Sequence, residues 1–196
     1  MNTDEAIVRA KSELRLKARA ARRVLTPEQR ADASSKIAVA ILSLPELQNV
    51  RTVLSYSAKS EELDLDIAIE GLRERGVRVV LPRITGPGKM ELHWHGAADE
   101  LGIGEFGLRE PLCTAPAAPL AAIDAILTPG VAYDHQGRRL GFGGGYYDSL
   151  FAKVDSSVIR IGIAYEEQMF AELPRDEHDQ PVDLVVTPER IYRSRR

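Results

Sequence analysis

TVLSYSAKSEELDLDIAIEGLRERGVRVVL, residues 52–81, is the stretch whose reading decides the fold. It opens with the apolar run Thr52 to Tyr56, continues as an amphipathic segment from Leu65 to Arg75, stops at Gly76 and closes with a second apolar run, Val77 to Leu81. Strand, helix and strand in this order make a βαβ unit, because two parallel strands need a crossover long enough to hold a helix. The pattern continues on the C-terminal side. Ala125 to Thr128, Val158 to Ala164 and Val182 to Thr187 are further short apolar runs, and together they predict a mainly parallel sheet. Met90 to His95 alternates apolar and polar residues, as a half-exposed strand does. Pro111 to Pro119 reads as a loop within one domain, since too little chain remains on either side for two cores.

On the N-terminal side, Asp4 to Arg23 places Ile7, Ala10, Leu14, Ala18 and Ala21 at spacings of three and four, which predicts an amphipathic helix. Thr26-Pro27-Glu28-Gln29 supplies a capping hydroxyl, a first-turn proline and a capping-box glutamine for a second helix, running to about Leu44 before Pro45. The first helix is basic: between Arg9 and Arg23 seven Lys or Arg residues stand against one acid, Glu13.

Composition limits the function classes. With 196 residues, 44% hydrophobic and 28% charged, the chain is long and apolar enough for one globular domain over residues 1–196. A net charge of −3 argues against nucleic-acid binding as its main business. Cys113 is the single cysteine, so an intramolecular disulfide and a thiolate metal cluster are both excluded, and a reducing cytoplasm is expected. No apolar stretch has the length of a signal core or a membrane span, and neither secretion nor membrane insertion is expected.

The densest chemical signal is Arg138-Arg-Leu-Gly-Phe-Gly-Gly-Gly-Tyr-Tyr-Asp148, between the strand ending near Thr128 and an expected helix reaching Val154. Four glycines in five positions let the backbone approach a ligand and turn successive N–H groups towards an anion. The loop is not a Walker A sequence, because no Gly-Lys-Ser/Thr follows, and Tyr146 stands where a dinucleotide fingerprint needs its third glycine. A tight structural turn over buried tyrosines explains the glycines equally well. Arg139 adds a fixed positive charge, Asp148 a hard oxygen donor, and the tyrosines flat faces, which shifts the reading towards a metal-nucleotide site.

Leu140-Gly-Phe-Gly-Gly-Gly-Tyr-Tyr-Asp148 resembles the nucleotide loop of the 5-formyltetrahydrofolate cyclo-ligases. Supporting segments follow in the family's order: Lys11-Ser-Glu-Leu-Arg15, Glu62-Leu-Asp64, Leu81-Pro-Arg83, Phe106-Gly-Leu-Arg-Glu-Pro111, Pro129-Gly130 and Glu177-His-Asp179. The resemblance implies a three-layer α/β domain related to the sugar-phosphate isomerase and CoA-transferase-like folds. It implies ATP as co-substrate, Mg²⁺ as cofactor, and conversion of 5-formyltetrahydrofolate to 5,10-methenyltetrahydrofolate, ADP and phosphate through a phosphorylated formyl group. By the same resemblance Lys11, Arg15, Arg139, Leu140, Gly141, Phe142, Gly143, Gly144, Gly145, Tyr146 and Tyr147 hold ATP. Glu62, with Phe142, Gly143, Gly144, Gly145 and Tyr146, meets the folate, and Asp148 and Asp179 ligate the metal. Ser149 stands where many members carry a basic residue, and the loose spacing from Tyr56 leaves Glu61 as an alternative counterpart to Glu62. A monomer without membrane or nucleic-acid partners is expected.

Other readings compete with this one. Lys11 and Arg15 lie four apart on a helix and share a face, but such a pair taken alone is more often surface charge. Glu62 alone is more often a helix-entry or surface acid. His93 and His95 share one side of a strand yet lack a third metal ligand, so a polar sheet face is the plainer reading, with Trp94 opposite as core or pocket wall. A sugar-phosphate isomerase or CoA transferase on a related fold, or a non-catalytic nucleotide-binding module, remain the alternatives.

Overall fold

The computed structural model describes residues 3–59, 61–176 and 178–194; Glu177, part of one expected motif, lies outside them. The chain begins with helices α1 (Thr3–Arg23) and α2 (Pro27–Ser43), followed by β1 (Thr52–Leu54), α3 (Asp66–Glu74), β2 (Arg78–Gly86) and β3 (Lys89–Trp94). Two short strands, β4 (Leu101–Ile103) and β5 (Arg109–Pro111), form a hairpin. Then come β6 (Ala125–Pro129), β7 (Ala132–Asp134), β8 (Arg139–Leu140), α4 (Tyr146–Phe151), β9 (Ile159–Ile163), β10 (Met169–Phe170), β11 (Leu184–Val186) and β12 (Ile191–Arg193).

The main sheet has the order β12-β11-β9-β6-β1-β2-β3. Its inner pairs are parallel, and β3 and β12 close the two edges antiparallel. The expected α/β class with a mainly parallel sheet is therefore the observed one. Both faces are covered, and the residues alternate accordingly. Val53, Val79, Leu127 and Ile161 pack under α2 and α3 with Ile37, Ile41, Ala68 and Leu72. Their neighbours Leu54, Val80 and Ile126 face the other way, towards Leu150 and Phe151 of α4 and the buried Tyr133. That second layer is thin, because α4 has only six residues and loops do much of the covering.

Three features differ from the sequence reading. The half-exposed strand expected around Met90 to His95 has no partner assigned by the sequence pattern. It folds back on β2 through Gly86-Pro87-Gly88, and β2 runs five residues past Leu81 to make a protruding hairpin. Pro82 fits there because β1 pairs with β2 only as far as Val80, so the missing N–H interrupts no ladder on that side. The face carrying His93 is also not a polar, open one. The Pro111–Pro119 stretch covers it, with Trp94 N donating to Pro116 O and Ala118 N to Leu92 O, and buried His93 holds Ala115 O at 2.8 Å through Nδ1. Trp94 packs at the core margin under the Arg78 guanidinium rather than in a pocket. Finally, α4 ends at Phe151, short of Val154, and the strand expected from Val182 begins at Leu184, with Val182 N donating away from the main sheet to Gly137 O.

A second, small sheet of order β10-β7-β8 seats α1: Leu14 and Ala18 pack on Val131, Ala132, Leu140 and Leu173. Tyr133 anchors this sheet to the main one. Its side chain is fully buried, and its hydroxyl donates to Thr128 O at 2.6 Å. The glycine at position 162 of β9 leaves room for that ring, since a Cβ there would press into it. Gly162→Ala should therefore destabilise the protein by about 1–3 kcal/mol through overpacking, read as a lower urea midpoint with an unchanged m-value.

Candidate functional site

One large cleft, about 990 Å³, opens at the C-terminal ends of β1, β2 and β6, where open parallel sheets take their ligands. Six parts of the chain build it. Lys11, Arg15 and Arg19 enter from α1, and Tyr56 and Glu62 from the loop after β1. Pro82, Ile84 and Met90 of the β2–β3 hairpin, with Phe106 and Leu108 of the β4–β5 hairpin, give an apolar wall. Residues 139–149 and the turn with Asp176 and Asp179 complete the lining.

The glycine loop owes its path to two positions. Gly143 has φ +109° and Gly145 φ +66°, the left-handed region that side-chain-bearing residues avoid, and Gly145 stands directly before α4. Arg139, before the loop, is buried and donates from Nη2 to Asp148 Oδ2 at 2.9 Å. Tyr147 lies against Arg139 and the edge of Phe151, so one of its faces is already occupied, while Tyr146 lines the cleft. Phe142 is exposed at the rim near Arg19.

Lys11 and Arg15 do share a face, and the face is turned into the cleft. Neither is a solvated surface charge. Arg15 Nε donates to Gly141 O at 2.9 Å, which fastens α1 to the glycine loop. Lys11 is only 7% exposed and its ammonium donates to Asp176 Oδ2 at 2.6 Å and Asp179 Oδ2 at 2.5 Å. Burial pulls the lysine pKa down, but the bonds from Asp176 and Asp179 outweigh it and leave it above its ordinary 10.5. The bond from Lys11 holds Asp176 below the usual aspartate value. Asp176 is the polar residue that sequence reasoning missed, since no local pattern links it to a helix 165 positions away.

The two aspartates expected at a metal are neighbours across the same rim: Gln180 N, next to Asp179, donates to Asp148 Oδ1 at 3.4 Å. Each carboxylate already faces a cation, Asp148 with Arg139 and Asp179 with Lys11. No cluster of three or more His, Cys, Asp or Glu side chains able to hold a metal occurs among the described residues, and the His93–His95 pair lies outside the cleft.

The two adjacent glutamates are sorted by the fold. Glu61 turns to α1 and pairs with Arg22 and Arg23 at 3.4 and 3.2 Å. Glu62 lines the cleft, with Oε2 accepting from Lys59 N at 2.9 Å. Burial raises the Glu62 pKa above 4.5, against the Lys59 N–H bond and the charges of Arg22 and Lys59.

With this geometry in view, the comparisons with known proteins are specific. Residues 7–188 match the model of the 5-formyltetrahydrofolate cyclo-ligase family. The 5-formyltetrahydrofolate cyclo-ligase of Escherichia coli (strain K12) is 33% identical over 176 residues, covering 87% of this chain and 96% of that protein. The Haemophilus influenzae cyclo-ligase is 29% identical over 95% of this chain and 100% of its own length. The NMR structure of Aquifex aeolicus 5,10-methenyltetrahydrofolate synthetase superposes with a TM-score of 0.83 at 36% identity, covering 95% of this chain and 93% of that one.

The buried lysine gives a direct check on the geometry. Lys11→Met leaves Asp176 and Asp179 facing each other without a cation, and should lower stability at pH 7 by about 1–3 kcal/mol. Asp176 has a depressed pKa, so its share of the pairing is present above the ordinary aspartate value and is lost as pH falls through its lower, folded-state value. The gap between Lys11→Met and the parent in chemical denaturation should therefore narrow only below about pH 4.

Proposed function

Because this chain belongs to the 5-formyltetrahydrofolate cyclo-ligase family and carries out its ATP-dependent ring closure, we propose that the 990 Å³ cleft is where the reaction occurs. The observation that carries this assignment is the meeting of chain-distant groups in one cleft. Lys11 and Arg15 of α1, the glycine loop, Asp148, Asp179 and Glu62 all line it.

An N-formyl group is an amide, and its oxygen does not leave as hydroxide near neutral pH. ATP removes the obstacle. The formyl oxygen attacks the γ-phosphorus and ADP departs, giving an imidate phosphate. The N10 amine then adds to the formyl carbon and loses its proton. Expulsion of phosphate leaves the N5–C–N10 bridge of 5,10-methenyltetrahydrofolate. Phosphoryl transfer of this kind asks a protein for position and positive charge rather than a nucleophile.

The residues supply both. Lys11, Arg15 and the N–H groups of residues 141–145 sit where phosphate oxygens would be neutralised. Arg139 keeps the Asp148 carboxylate oriented. Glu62 offers a carboxylate to the N–H groups of the pterin. The apolar wall of Pro82, Ile84, Met90 and Phe106 limits water around the imidate phosphate, which water would otherwise return to the starting amide.

The donor set also suits Mg²⁺, since two hard carboxylates on one rim suffice when phosphates and waters complete the shell. Asp148 and Asp179 would hold it, and it would supply charge neutralisation at the phosphates. No helix among the described residues is long and apolar enough to cross a membrane. The exposed, lone Cys113 accords with a reducing cytoplasm.

Mixing pure protein with 5-formyltetrahydrofolate and Mg-ATP should produce the methenyl absorption band, with one ADP formed per product. Full-rate product without nucleotide would contradict the assignment and favour isomerase or transferase chemistry. For the metal ligands Asn is the discriminating substitution, since it still serves a turn or a helix start. Each Asn variant takes a carboxylate from a buried cation, so Asp148→Asn and Asp179→Asn should melt somewhat lower yet stay folded at assay temperature, and lose kcat by about 100-fold or more, with partial recovery at high Mg²⁺ or Mn²⁺. Wild-type rates and metal dependence in both variants would refute the metal site.

A further inference from the structure

Glu62 lines a second cavity as well, of about 10 Å³, room for one water molecule. Arg22, Tyr56, Gly130 and Gln168 are among its other walls. Most of the polar side chains there are engaged. Tyr56 donates its hydroxyl to Leu63 O at 3.1 Å. Gln168 Nε2 donates to Gly130 O and Val131 O at 2.8 and 2.9 Å, and its Oε1 accepts from Tyr165 N at 3.0 Å.

Two groups remain. Arg22 is 6% exposed, its Nη2 reaches Glu61 Oε2 at 3.4 Å, and its buried Nε–H has no hydrogen-bond partner among the described residues. The Glu62 carboxylate spends one oxygen on Lys59 N. A buried guanidinium N–H calls for an acceptor, the half-buried Glu62 carboxylate has a second oxygen to offer, and the cavity that both residues line has room for a single bridging water.

We propose that Arg22 is a positioning residue for the ring closure: from α1, across the water-sized cavity, it holds the Glu62 carboxylate in place and in the anionic form that accepts the pterin N–H groups. This rests on Glu62 being the folate contact. The titratable groups close enough to act on Glu62 electrostatically are Arg22 from α1, Lys59 and Glu61 from its own loop, Tyr56 after β1, Tyr133 of β7, Tyr147 of α4 and Tyr165 after β9. Burial keeps the four tyrosines neutral wherever a carboxylate titrates. Burial raises the Glu62 pKa, the Lys59 N–H bond and the charges of Arg22 and Lys59 lower it, and Glu61 raises it. Glu61 therefore acts against Arg22.

The test is the pH profile of kcat/KM for 5-formyltetrahydrofolate at saturating Mg-ATP. Arg22→Gln should move the acid limb to higher pH and raise the folate KM about tenfold near neutrality, with the ATP KM unchanged. Arg22→Lys should recover part of the loss, and Glu61→Gln should move the limb to lower pH. Adding Arg22→Gln to Glu62→Gln should cause no further loss of folate affinity, because both act through one carboxylate. An additive double variant, or equal rises in the KM of folate and ATP, overturns the proposal and assigns Arg22 to holding α1 in general. Should Arg22→Gln not fold, Arg22→Lys and Glu61→Gln decide, and unmoved limbs in both overturn it. An unchanged folate KM in Glu62→Gln is a different failure, that of Glu62 as the folate contact. A raised KM there with unaffected Arg22 variants removes only the role of Arg22.

Discussion

A lysine ammonium taken out of water must be met by carboxylate, and at Lys11 that requirement joins the first helix to the last long loop. Asp176 and Asp179 lie 165 and 168 positions away, and their pairing with Lys11 brings α1 over the cleft. The net stabilisation from such a partly buried cluster is small, because desolvation offsets most of the attraction. Its consequence is geometric. The apolar seat of α1 is modest, chiefly Leu14 and Ala18 on the small sheet, worth about 2–4 kcal/mol in area terms. An apolar seat of that size tolerates sliding. Directional bonds from Lys11 to the aspartates and from Arg15 to Gly141 O do not. Register along the helix is thus set by the same charged groups that a phosphate would meet.

The parts legible in the sequence were those with a period long enough to read. The long helices, the α2 cap, and the strands at 125–129 and 159–163 lie where the pattern puts them. The Thr26 capping box formed as expected, with Gln29 N and Gln29 Oε1 both engaged. Strands of two or three residues, such as β7, β8 and β10, have no period to detect, and they make the small sheet on which α1 rests. The β2–β3 hairpin was hidden for a different reason. Both strands were visible, but Gly86-Pro87-Gly88 was not read as the turn joining them.

Site residues divide along a similar line. The glycine loop announced itself because its chemistry is local: positive φ at Gly143 and Gly145 is a property of the residues themselves. Glu61 and Glu62 are chemically identical and adjacent, so only the environment separates them. One meets two arginines of α1 and the other lines the cleft. Asp176 became visible only when the fold set it against Lys11. Residues whose role comes from a distant partner leave no mark within a window of sequence.

Under the proposed assignment the cleft also solves an electrostatic problem that its two kinds of ligand would create together. Triphosphate needs cations, and an anionic glutamate for a pterin needs to stay clear of the phosphates. Half of the lysine and arginine side chains lining the cleft, Lys11, Arg15 and Arg19, enter from one element, α1, which borders the glycine loop through the Arg15 bond. The apolar side chains come from the two hairpins instead, Pro82, Ile84 and Met90 from one and Phe106 and Leu108 from the other. This division lowers the local dielectric without burying uncompensated phosphate charge, because the cations remain beside the loop. Each interaction with the transferring phosphoryl group is then stronger than it would be in water, and the donors need little rearrangement as charge moves. The same low dielectric makes an ionised Glu62 harder to keep. In the proposed assignment, Arg22 at the other end of α1, lining the same small cavity as Glu62, answers that cost, and one helix would serve both the phosphates and the pterin acid.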